Sequence, residues 1–116
     1  MDIAFIVVGI EIDYEEFTKE DKFDFLKEYV EENDFSINGG RIYKNFNGSC
    51  DEYNDIVVFG DSIMSCDGEE IRPIMIEKMA EKTKEVKNNL KEIFDKVKEV
   101  TKKDVQLYFV VEQDLY

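Results

Sequence analysis

Ile3-Ala4-Phe5-Ile6-Val7-Val8-Gly9-Ile10-Glu11-Ile12, near the start of the chain, and Ile56-Val57-Val58-Phe59, at its middle, are the two stretches on which the fold turns. Successive side chains of a β-strand point to opposite faces, so a strand covered on one face alternates apolar with polar residues. The first stretch does not alternate. Ile3, Phe5 and Val7 form one set and Ala4, Ile6, Val8 and Ile10 the other, and both are apolar. The Ile56–Phe59 run has the same two-sided character, so each reads as an interior strand with both faces covered.

Outward from the first strand, Thr18 and Asp21 have capping-box spacing, and Phe23, Leu26 and Val30 recur at helical intervals until Asn33 and Asp34 end the pattern. Beyond the turn signal Asn38-Gly39-Gly40, residues Arg41 to Phe46 read as a polar edge strand. The Ile56–Phe59 strand continues through Ser62 and Met64 to a turn at Cys66-Asp67-Gly68. Asp67 and Glu70 are cap candidates for the next helix, and Pro73 is tolerated in a first turn. Met79, Thr83, Val86, Leu90, Ile93, Val97 and Val100 then step by fours and threes. This predicts one long helix from Pro73 to Lys102, about 45 Å at ~1.5 Å per residue. Val105, Leu107, Phe109 and Val111 face one way in a closing strand, the alternation of an edge or half-exposed strand. The order β-α-β-β-α-β is that of a ferredoxin-like split βαβ fold, an α+β antiparallel sheet with two helices on one face. In that topology the first and third strands are interior, which agrees with their apolarity. Helices cover only one face, so the other face of these strands calls for a second cover, most simply another copy of the chain in a homodimer.

The chain has 116 residues, the length of a single domain spanning 1–116, with 43% hydrophobic and 13% aromatic residues, one Pro and six Gly. Collagen-like, low-complexity and disordered classes are excluded on that composition. Asp2 stands where a secretory signal needs a basic region, and the apolar run is far short of the roughly 20 residues of a membrane span, so the chain reads as cytoplasmic. Cys50 and Cys66 flank an extended segment that holds them apart, which predicts free thiols.

Motifs for chemistry are sparse. Ile56-Val-Val-Phe-Gly-Asp-Ser-Ile63 resembles the first block of the GDSL, or SGNH, hydrolases, a resemblance that implies Ser62 as a nucleophile at a Gly-Asp-Ser turn. Those enzymes draw their base from a downstream Asp-x-x-His block, and this chain contains no histidine, so no catalytic residue is assigned and the chain is read as a non-enzyme. Asn45, Asn47 and Gly48 match three positions of a calcium loop, but Tyr43 and Asn54 occupy the places of its first and last carboxylates. Asp67, Glu69 and Glu70 are explained by helix capping. No metal and no cofactor is expected.

Charge is the more informative signal. There are 28 acidic and 15 basic side chains, a formal charge of −13, which repels nucleic acid and anionic lipid. Residues 1–40 hold 12 acidic and 3 basic side chains, whereas residues 76–116 hold 9 of each. On a helical wheel Phe23, Leu26 and Val30 share one arc, with Asp21, Asp24, Glu28, Glu31 and Glu32 opposite. Carboxylates three and four residues apart lie about 5–6 Å from one another, near the spacing of phosphates along a nucleic-acid strand. Phe25 falls at the edge of the acidic arc with Tyr29 beside it, as aromatic anchors for an interface. Asp13, Glu15, Glu16, Asp51, Glu52 and Asp55 are candidates to extend the patch. The reading is an acidic protein-binding module for a basic partner protein, nucleic-acid-binding proteins included. It would act as an inhibitor or nucleic-acid mimic, a role seen in anti-CRISPR-like anti-defence proteins and toxin-immunity proteins. The alternative is a structural or regulatory homo-oligomer, or a small-ligand binder, that uses the open sheet face.

Overall fold

The computed structural model describes residues 2–34, 36–44, 56–67 and 73–113. The chain runs through β1 (Asp2–Asp13), α1 (Tyr14–Lys19), a 3-10 turn (Asp21–Phe23) and α2 (Asp24–Glu32). It continues through β2 (Arg41–Lys44), β3 (Ile56–Asp67), α3 (Ile76–Asn89), α4 (Lys91–Thr101) and β4 (Gln106–Gln113). This is a mixed α+β fold with a four-stranded antiparallel sheet in the order β2-β3-β1-β4. The two strands with two-sided apolarity, β1 and β3, are the interior pair.

One face of the sheet carries the main core. Val8, Ile10 and Ile12 of β1 and Val57, Phe59 and Ile63 of β3 meet Phe17, Phe23 and Leu26 from the first helical segment and Val86, Leu90, Ile93, Phe94 and Val97 from the second. Phe59 is fully buried, with Tyr29 and Phe94 edge-on at ring-centroid distances of 5.9 and 5.8 Å. Gly40, at φ +79°, lies over this ring, and a Cβ there would sit 3.1 Å from Phe59 Cζ. Both the left-handed backbone and the close ring demand glycine at that position.

The other face is filled in a way the sequence does not announce. Val7, Tyr43, Val58 and Val110 are buried there, with Phe5 and Tyr108 packed against them, and no helix residue joins this cluster among the described residues. The sheet curls toward this side until Cα atoms of its two edge strands, β2 and β4, lie within 8 Å of each other. Arg41 of β2 closes the gap. Its guanidinium stacks 3.8 Å from the Tyr43 ring centroid, lies 5.2 Å from that of Phe5, and reaches Glu112 of β4 at 3.4 Å. Two features of the central strand pair permit the curl. Gly9 and Gly60 face each other across the β1–β3 ladder, and a Cβ at Gly60 would collide with the Val8 carbonyl. The register also shifts between Ile6 and Val7, leaving Ile63 as an extra residue, a bulge that bends the strand. Part of the second face is therefore covered from within the chain, by the curl of the sheet and the Arg41 bridge.

Two expectations, both about the helices, are corrected. The first helix is divided: Asp13 caps α1 by accepting the Glu16 N–H at 2.9 Å, and Thr18 lies inside α1, donating back to the Tyr14 carbonyl at 3.0 Å, instead of capping a later helix. The single long helix is two, α3 and α4, jointed at Leu90. The Leu90 N–H and carbonyl still bond to Val86 and Phe94 at 3.0 and 2.8 Å, but its dihedrals (φ −106°, ψ 14°) leave the helical region. Asn88-Asn89, weak helix formers, precede the joint, and the bend seats α3 on β3 and α4 on β1. On β4, Leu107 and Phe109 pair with Val8 and Ile6 and so share the helix-facing side, yet they are 52% and 72% exposed because the helices stop short of this edge. The buried residue is Val110, on the opposite face. Cys66 is a free thiol. The expected end of the edge strand at Phe46, the Asn45–Gly48 and Asn54 match, Cys50, the Asp51, Glu52 and Asp55 extension, and the turn and cap at Gly68, Glu69 and Glu70 lie outside the described residues.

Candidate functional site

The acidic residues singled out by the wheel occupy one outward strip. Asp21 lies in the 3-10 turn, Asp24 opens α2, and Glu28, Glu31 and Glu32 follow along it; all five are exposed. Residues 13–34 carry ten acidic and three basic side chains. Those three lysines are spent mainly on α1 and the turn. Lys19 pairs with Glu15 at 3.1 Å, and Lys22 pairs with Glu16 and with Glu20. The hydrogen bond from Lys22 to Glu16 raises the lysine's pKa, aided by the charges of Glu16 and Glu20 and opposed by partial desolvation. Lys27 approaches Asp24 at 3.9 Å, a long exposed contact of small value. Among the described residues Asp21, Glu28, Glu31 and Glu32 have no ion-pair partner, and no lysine of α3 or α4 reaches the strip. The last turn of α2 contains no basic residue, so Glu31 and Glu32 face the negative end of the helix dipole, an unfavourable placement of roughly 0.3–1 kcal/mol each.

The two aromatic residues lie elsewhere than expected. Phe25 and Tyr29 are half-buried and pack on the main core, Tyr29 edge-on to Phe59, so neither stands free as an anchor on the strip. Burial pushes the Tyr29 hydroxyl's pKa up, and the Asp61 carboxylate adds to the push. Tyr29 thus connects the acidic helix to a residue that pattern reading passed over.

Asp61 is that residue. The register pairs it with Val8, in the helix-facing set of β3, and it is half-buried. Desolvation raises its pKa, against a lowering contribution from the Ser62 N–H and a smaller one from Arg41. Among the described residues its carboxylate accepts one hydrogen bond, from the adjacent Ser62 N–H at 3.1 Å. The signal was present in the sequence, since a carboxylate on the core-facing side of an interior strand is the informative kind of exception. Gly60-Asp61-Ser62 is not the turn that the hydrolase resemblance implies, because β3 continues through it to Asp67. Among the described residues no group of three or more potential metal ligands is assembled, and no helix is long and apolar enough to cross a membrane.

Comparison with protein-family models, with curated proteins and with solved structures finds no match for this chain.

Proposed function

We propose that this protein is an acidic protein-binding module that occupies a cationic surface of a basic partner, acting as an inhibitor or nucleic-acid mimic. The observation that carries the reading is the strip Asp21, Asp24, Glu28, Glu31 and Glu32: exposed, aligned, and relieved among the described residues by the long Lys27–Asp24 contact alone. Like charges at these spacings disfavour a helix by a few tenths of a kcal/mol per pair, and their retention is explained by a use in recognition. The strand order β2-β3-β1-β4 supports placing the module on a ferredoxin-like split βαβ scaffold, with α1–α2 and α3–α4 standing in for its two helices. Long-range attraction would steer association and make it salt-sensitive. The test is capture of a basic protein at low salt by the native chain and by a variant with all five carboxylates changed to their amides. Equal recovery by both would refute the reading.

A second reading, self-association, draws support from exposed Leu107 and Phe109 on β4 and not from the closed face of the sheet. Light scattering at micromolar concentration on native protein and Phe109→Ser tests it; a native monomer removes it.

A further inference from the structure

Two cavities, of about 400 and 410 Å³, are both lined in part by the segment 36–40 and share Ser36, Ile37, Asp61 and Ser62. Their sizes fall in the range of ligand sites. We propose that this cleft receives a lysine or arginine side chain of the partner protein, with the Asp61 carboxylate as its counter-charge; the inference rests on the protein-binding reading above.

The cleft favours a cation because Asp34, Asp61 and Glu85 outnumber Arg41 and Lys82 in its described lining, and both cations already have partners within the chain. Arg41 lines one cavity, but its guanidinium is held by Glu112 and the Tyr43 ring. Lys82 lines the other, where its ammonium group faces the Ile63 carbonyl at 3.5 Å. No basic group lies within ion-pair distance of Asp61 among the described residues, and only one short-range N–H serves its two oxygens. A carboxylate in this setting has vacant acceptor positions and is already partly stripped of water, so a charge-assisted hydrogen bond to it is stronger than one at the surface. Further acceptors stand around it: Asn33, Asp34, Ser36 and Asn38 line the two cavities. Phe5, Val30 and Tyr43 supply apolar wall for the aliphatic stem of a long basic side chain.

A protein side chain fits better than a free amine because the cleft continues the acidic strip. Val30 of α2 lines it, as do Asn33 and Asp34, which directly follow Glu31 and Glu32 in the chain. One basic segment can place one residue in the cleft and its neighbours along α2.

The experiment is an NMR titration of the isotope-labelled full chain with two probes, butylammonium and a capped tri-arginine peptide. The native chain, Asp61→Asn and the five-amide strip variant are compared. In the native chain the peptide should shift the amides of Asp61, Ser62 and residues 36–40, and bind about tenfold or more tighter than butylammonium. In Asp61→Asn its affinity should fall about tenfold, ~1.4 kcal/mol. In the strip variant the peptide should weaken yet still shift the cleft amides. Unchanged affinity in Asp61→Asn, or shifts confined to α2, overturns the cleft while leaving the strip reading standing. Butylammonium binding as tightly as the peptide overturns the assignment to a partner side chain in favour of a small-amine site. Peptide affinity unchanged in the strip variant, with the cleft still shifted, refutes the strip and retains the cleft.

Discussion

Gly60→Ala should be the most damaging alanine substitution among the described glycines. A Cβ at position 60 would overlap the Val8 carbonyl oxygen and lie 2.7 Å from Gly9 Cα, whereas ordinary van der Waals contact begins at 3.4 Å. Both obstacles are backbone, so no side chain can swing aside, and the overlap with the Val8 oxygen requires β1 and β3 to part locally by about 1 Å or more. Separation on that scale strains or breaks the ladder next to the bulge. Overpacking of this kind costs roughly 1–3 kcal/mol, and leaving one buried backbone group unpaired adds about 1–3 kcal/mol. A total near 3–4 kcal/mol is a large part of the ~5–15 kcal/mol that holds a fold of this size, and corresponds to a melting temperature lower by roughly 10–15 °C. The assay is thermal and urea unfolding followed by circular dichroism. A shift of less than about 0.5 kcal/mol would show that the central strands do not approach as closely as described, and the account of how the sheet curls would be wrong.

Other outcomes follow from the same geometry. Phe94→Ala, which removes a buried ring from the Phe59 cluster, should cost about 3–5 kcal/mol, whereas Phe109→Ser, at 72% exposure, should cost under about 1 kcal/mol in the monomer; urea unfolding of the pair checks both. Asp61→Asn should raise the melting temperature near neutral pH. The native Asp61 has a raised pKa, so the folded state holds its proton longer than the unfolded state and loses stability as pH rises from the unfolded value, 3.8, through the folded one. Below that window the carboxyl is neutral in both states, and melts of the two proteins should converge in acid. A melting temperature for Asp61→Asn that is lower at neutral pH would contradict the assignment of Asp61 as a strained, unpaired charge. Arg41→Ala removes the bridge between the edge strands, with a loss of roughly 1–2 kcal/mol and increased binding of a hydrophobic dye as the Val7–Val110 cluster opens.

The sheet and its order of burial were legible because apolarity on both faces of a strand has one structural meaning, and β1 and β3 carry it in adjacent residues. The helical joints were not. A seam such as Val86-Leu90-Ile93-Val97 keeps its period through a bend, since the i to i−4 hydrogen bonds at Leu90 survive it. The covering of the second face was equally hidden, because it depends on Gly9 meeting Gly60, a pairing that exists only once β1 and β3 are in register. For the candidate site, the wheel located the carboxylates correctly on the exposed side of α2, since charge itself enforces exposure. It misplaced Phe25 and Tyr29 because an aromatic at the boundary of two arcs turns toward whichever apolar surface lies nearby, here the Phe59 cluster. Asp61 was legible in part: its place on the core-facing side of an interior strand is in the sequence, whereas the lining around it comes from the segment 36–40 and the end of α2, which are distant in sequence.

The most direct measurement is the footprint of the captured partner on the isotope-labelled chain, read as amide signals broadened or protected from exchange on complex formation. The account predicts that the affected residues cluster at 21–34 and at Asp61 and Ser62, and that raising the salt concentration releases them together. A footprint centred on Leu107 and Phe109 of β4, insensitive to salt, would contradict it.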